Sequence, residues 1–147
     1  MFLSTRERTS ICAGCSERSG RSLFLVLFCC EFQYHFRCCM PTPSGQYEYY
    51  GDIRYINGHI TGSDKSDYFE FDPAVFADDD ERIYLYSGSG QKSNEEFGHP
   101  VVGAFVRELD KDMLTLLTEP KIIMPANEDR AKPNFFEGAS MRKINGL

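Results

Sequence analysis

Turn signals at close intervals are the feature that most restricts how this 147-residue chain can fold. Asn57-Gly58, Asp78-Asp79-Asp80-Glu81, Asp110-Lys111-Asp112 and Asn145-Gly146 punctuate short runs rich in apolar, aromatic and β-branched residues. Runs of this length predict strands rather than helices. Arg54-Tyr55-Ile56 and His59-Ile60-Thr61 flank Asn57-Gly58, which predicts a two-residue hairpin turn with positive φ at both central positions. Gly62 to Asp67 reads as a polar loop. Ala74-Val75-Phe76 predicts a strand that turns at the acidic run 78–81 and returns as Ile83-Tyr84-Leu85-Tyr86. Gly88 to Gly98, rich in Gly, Ser and Asn, reads as a loop. Val101 to Leu109, Met113 to Leu117 and Ala139 to Ile144 predict further strands. Between the last two, Glu119 to Pro133 carries three prolines and little pattern beyond Ile122-Ile123-Met124. No stretch carries a convincing helical stripe. Aromatics are 14%, with eight Tyr and twelve Phe but no Trp, and Tyr and Phe favour pleated surfaces. The expected class is all-β, as a sandwich, barrel or propeller. Only Leu147 follows the Asn145-Gly146 turn, so Met141 to Ile144 is expected to be an unpaired edge in a chain that stops inside a structural unit.

Charge and cysteine placement divide the chain. A net charge of -6 argues against a nucleic-acid partner, which requires a basic face. All six cysteines lie between Cys12 and Cys39, unlike a secreted scaffold whose staples spread over the domain. Cys12 and Cys15 form a C-x-x-C pair, with His35, Cys38 and Cys39 further on. Those are zinc-ligand types, yet Cys29-Cys30 and Cys38-Cys39 are adjacent pairs whose side chains diverge, so a Cys/His zinc module is the weaker reading and no metal ligands are assigned. Leu23 to Cys30 is too short to span a bilayer as a helix, and no membrane partner is expected. Arg18 and Arg21 precede this run as in a signal peptide, but Glu31, Phe32, Gln33 and Tyr34 follow it instead of a small-residue cleavage site. Location stays open, with the cytoplasm slightly favoured. Residues 1–42 are read as an atypical Cys-rich segment, disordered or wrongly decoded, whose period matches neither helix nor strand for long. Residues 43–147 form the second unit.

Two acids in this second unit stand out. Asp72 precedes Pro73, with Phe71 and Phe76 close by. Proline is expected to hold Asp72 extended, and apolar neighbours can move a carboxyl's pKa. The plain alternative is a turn aspartate. Glu137 follows Phe135 and Phe136 and precedes Gly138. Burial against aromatics raises a glutamate toward general-acid range, and Gly138 would let a ligand approach the backbone. An exposed loop glutamate is the alternative there.

Taken together, Phe71-Asp72-Pro73-Ala74-Val75-Phe76-Ala77-Asp78-Asp79-Asp80 and Ile83-Tyr84-Leu85-Tyr86 resemble a signature of glycoside hydrolase family 43. So do Gly103-Ala104-Phe105-Val106 with Glu108-Leu109-Asp110-Lys111-Asp112-Met113, and Phe136-Glu137-Gly138-Ala139-Ser140. Pro43-Ser44-Gly45-Gln46-Tyr47 is similar to the family's segment just upstream. The resemblance implies a fragment of a five-bladed β-propeller, roughly two blades and part of a third. It implies an inverting hydrolase acting on arabinose- or xylose-containing carbohydrates. Glu137 matches the general acid, Asp72 the residue that tunes and orients it, and Phe136 and Gly138 are expected to touch substrate. The family's base comes from an aspartate on the first blade, but residues 1–40 contain no Asp and only Glu7, Glu17 and Glu31 as acids. The base is therefore expected to be absent and the chain inactive as it stands. A non-catalytic carbohydrate-binding or interaction module is the alternative. No cofactor is expected; the family's central calcium site would be incomplete here. A final departure is Glu81, where the family has glycine, because a glutamate resists positive φ.

Overall fold

The computed structural model describes residues 11–19, 22–29, 34–40, 48–125 and 139–145. Among them, β structure predominates, as the turn spacing predicts. β1 (Ile11–Ser19), β2 (Ser22–Cys29), β3 (Tyr34–Met40) and β4 (Glu48–Asp52) form an antiparallel meander in that order. Three of these strands lie in the segment for which no lasting period was read.

The second sheet has the order β5-β9-β8-β7-β6, with β10 paired to the other end of the β8 edge that β9 meets. Its members are β5 (Arg54–Tyr55), β6 (Glu70–Ala77), β7 (Ile83–Ser89), β8 (Val102–Leu109), β9 (Thr115–Leu116) and β10 (Lys121–Pro125). β6, β7 and β8 pair antiparallel in sequence order, while β5 and β9 pair parallel. β1 and β2 run close to β6. Strand alternation builds the core: Ile53, Val75, Ile83, Leu85, Leu109, Met113 and Leu116 pack as one buried cluster with Tyr55 against it. Inward residues at every second position of β7 and β8 follow from the period of two along a strand.

The structure corrects several sequence expectations. The Asn57-Gly58 turn is present, but only Gly58 has positive φ, at 86°. Tyr55 accepts the Gly58 amide at 2.9 Å and donates its own amide to His59 at 2.8 Å. The loop therefore holds three residues, Ile56, Asn57 and Gly58, with the left-handed residue last, in place of a two-residue turn. Gly88 and Ser89 complete β7, and Gln91–Phe97 is a helix, α1, where a loop was expected. α1 shows no apolar stripe because its one buried residue is Asn94. Of Met113 to Leu117 only Thr115 and Leu116 form strand, since Met113 turns the chain at φ 65°. Ala139 to Ile144 is described and is not a strand: among the described residues, none forms a ladder with it. Its apolar residues suit a strand, but a strand exists only where a neighbour completes its backbone hydrogen bonds.

Candidate functional site

Asp72 sits on a bulge. In the β6–β7 ladder Phe71 faces Gly88 and the next pair is Ala74 with Tyr86. Asp72 and Pro73 thus share one opposite residue, Ser87. Asp72 takes φ 49°, so the expectation that Pro73 holds it extended is overturned. Two properties of the sequence explain this geometry. Pro73 has no N–H to give a ladder, and a bulge on the strand that ends the sheet removes the need for one. Aspartate is among the few non-glycine residues that enter the left-handed region readily, and a left-handed first residue is one standard way to make a bulge. Pro73 is fully buried beneath the bend. Asp72 is half-buried.

Behind the bulge lies a buried polar network. Arg107 on β8 and Glu70 on β6 are 3% and 4% exposed, which leaves almost no water to screen them. The Arg107 guanidinium donates Nη1 to Glu70 Oε2 at 2.6 Å and Nη2 to Oε1. Ser87 Oγ donates to the same Oε2. Arg107 Nη2 also reaches Tyr55 Oη at 3.4 Å, while its Nε has no partner among the described residues. Burial favours the uncharged guanidine, but Glu70's charge and hydrogen bonds outweigh it and raise Arg107's pKa. Burial acts in the other direction on Tyr55 and raises its pKa, with Arg107 opposing. The residue facing Asp72 and Pro73 is thus tied to the carboxylate two positions before Asp72.

Asn94 anchors the entrance to β6. It is fully buried and accepts the Phe69 amide on Oδ1 at 2.6 Å. Its Nδ2 donates to Phe69 O at 3.0 Å and to Ser89 Oγ at 2.9 Å. Gly90 opens the helix so close to Phe69 that an added Cβ would lie 2.3 Å from the ring. Backbone before Asp72 and helix after β7 are thereby locked together.

The sequence reading missed Glu70, Arg107 and Asn94. Arg107 was legible in principle: Phe105, Arg107 and Leu109 alternate along β8, and all three are buried. An arginine in phase with core residues calls for a buried acid, and Glu70 between two phenylalanines meets that need. Nothing in the local pattern marks Asn94.

Glu137, Phe136 and Gly138 lie outside the described residues. The residues that close their motif do not: Ala139 and Ser140 line a cavity of about 260 Å³ together with Tyr86, Ser87, Phe105 and Met124, among others. Further along, Lys143 Nζ bonds Asp78 Oδ1 at 2.6 Å and Asp79 Oδ2 at 2.9 Å. Segment 139–145 is therefore tied by Lys143 to the turn that leaves β6, and its first residues face Ser87 across the cavity.

No family model matches the chain. It is 42% identical over 100 residues to a xylosidase/arabinosidase of Thermoclostridium stercorarium, covering 66% of this chain and 19% of that protein. In fold it is similar to an α-L-arabinofuranosidase from Clostridium thermocellum, with a TM-score of 0.60 at 22% identity over 89% of this chain and 38% of that one. A family 43 β-xylosidase/α-arabinofuranosidase from a compost microbial metagenome, solved with xylotriose, gives a TM-score of 0.63 at 20% identity, covering 89% and 45%. A family 43 arabinoxylan arabinofuranohydrolase from Bacillus subtilis gives 0.54 at 22% identity, covering 92% and 27%. The chain spans less than half of each of these relatives.

Proposed function

We infer that this chain, which resembles glycoside hydrolase family 43 in sequence and in fold, carries the acid side of a glycosidase active site for arabinose- or xylose-containing carbohydrates. The fold is read as part of a five-bladed propeller, in which the β6–β7–β8 sheet with β10 makes one blade and the β1–β4 meander its neighbour. Glu137 is the general acid that protonates the leaving oxygen. Asp72 orients that acid and tunes its proton affinity, and Phe136 and Gly138 contact the sugar. One observation supports this most: Ala139 and Ser140, which complete the Glu137 motif, share a cavity with Ser87, the residue opposite the Asp72 bulge. The chemistry is inversion, in which a second carboxylate activates water from the opposite sugar face. Residues 1–40 offer no aspartate for that role. An acid without its base forfeits about 10²–10⁴-fold in rate.

The test is hydrolysis of aryl α-L-arabinofuranoside and aryl β-xylopyranoside, run beside xylotriose binding followed by NMR. The expected result is binding with turnover at least about 10²-fold below a family enzyme possessing both groups, and loss of the residue of activity in Glu137→Gln. Binding that persists with no turnover, unchanged in Glu137→Gln, would favour the non-catalytic module. Neither binding nor turnover would end both readings.

A further inference from the structure

We propose that His59, Asp64 and Asp67 form a site for a divalent first-row transition-metal ion, opening onto a polar cleft formed by other residues than the Asp72 motif. One ligand atom from each of these three side chains lies within 4.8 Å of the other two. His59 follows the Asn57-Gly58 turn, while Asp64 and Asp67 come from the loop that follows, so two chain segments converge. His59 Nε2 and Asp67 Oδ2 are 2.8 Å apart. Bonds of about 2.0–2.2 Å from a small dication to imidazole nitrogen and carboxylate oxygen require donors roughly 3 Å apart. The His59–Asp67 pair already meets that spacing. Asp64 is exposed, and its Oδ1 accepts the Ser66 amide at 2.7 Å.

Two further observations favour a cation here. Among the described residues, no Lys or Arg bridges Asp64 or Asp67, whereas Asp78, Asp79, Asp80 and Glu81 each have one. The second observation is the space. A cleft of about 240 Å³ reaches His59 and Asp67 and is walled by Tyr55, Asn57, Tyr68 and Glu119, among others. Glu119 brings a third carboxylate from a distant part of the chain, and the cleft leaves room for water to complete the coordination. One imidazole with oxygen donors suits zinc or manganese better than calcium, which takes oxygen ligands alone.

Manganese(II) is the probe, because its preference for oxygen and nitrogen keeps it off the six cysteines. Manganese chloride titrated into the ¹⁵N-labelled full chain should broaden the amide signals of His59, Gly62, Ser63 and Asp67 first, saturating at one equivalent. Zinc should restore them by competition. Asp64→Asn should raise the titration midpoint at least tenfold; among the described residues the Asp64 side chain bonds only Ser66, so the fold is expected to survive. His59→Gln should abolish the effect. Broadening centred elsewhere, a midpoint unchanged in Asp64→Asn, or no broadening at millimolar manganese would each overturn the site.

Discussion

Replacing Arg107 by methionine removes the guanidinium that holds both oxygens of the Glu70 carboxylate. The pair is 3% and 4% exposed, so water cannot move in to take over without opening the sheet. Breaking a buried ion pair from one side costs about 3–5 kcal/mol, because a charge is left without its counter-ion. Against a total stability of about 5–15 kcal/mol for an ordinary domain, that is about a fifth or more. With a urea slope of about 1–3 kcal/mol/M, the unfolding midpoint should fall by roughly 2 M. The chain has no Trp, so far-UV circular dichroism and tyrosine fluorescence are the probes, and their transitions should coincide. The double variant Glu70→Leu/Arg107→Met separates charge from packing. It removes both ions, and among the described residues the losses left are the hydrogen bond Ser87 donates to Glu70, about 1 kcal/mol, and the long Arg107–Tyr55 contact. Its midpoint should lie within about 1 M of the parent chain. A cost below about 1 kcal/mol for Arg107→Met, or a double variant as damaged as the single one, would refute a buried, mutually dependent pair.

Asn94→Ala removes the acceptor of the Phe69 amide and one of the donors to the Phe69 carbonyl, which keeps the Gly90 amide at 3.0 Å. It should cost about 1–3 kcal/mol while hydrogen exchange at the Phe69 amide accelerates. Lys143's hydrogen bond, followed by that of the Asp79 amide, lowers the pKa of Asp78. For a depressed carboxyl the linked stability is present above the unfolded pKa and is lost as pH falls through the folded one. Lys143→Met should therefore move Asp78's titration upward, read from its carboxyl ¹³C shift, and flatten the acid limb of stability against pH. Glu81 turns the chain at φ 67°, where glycine carries no side-chain penalty. Glu81→Gly should raise the urea midpoint even though it deletes the exposed Lys111 contact.

The legible parts of the fold were those written in short-range pattern. The β6–β7 hairpin follows from an apolar run, four acids and a second apolar run, and β8 from an alternating stretch ending in Asp110-Lys111-Asp112. What escaped was set by partners distant in sequence. α1 forms because Asn94 reaches back 25 residues to Phe69, a bond with no local signature. Ala139 to Ile144 has strand composition without a ladder. Asp72 escaped for another reason: the ordinary influence of proline on its predecessor lost to the register of a bulge, which neither residue announces alone. The motif pointed to Asp72 and to Glu137, the latter outside the described residues, while the Glu70–Arg107 pair that braces Asp72's strand arose only from the pairing of β6, β7 and β8.

Backbone shape and chemistry select from different alphabets at position 72. A φ of 49° admits glycine, asparagine and aspartate with little strain, and of these only aspartate can carry a negative charge. Alanine or glutamate there would disturb the chain path as well as the carboxylate, so a lost function in either variant would not identify its cause. Asparagine keeps the outline and neutralises the group, which makes it the substitution able to report on Asp72's charge alone.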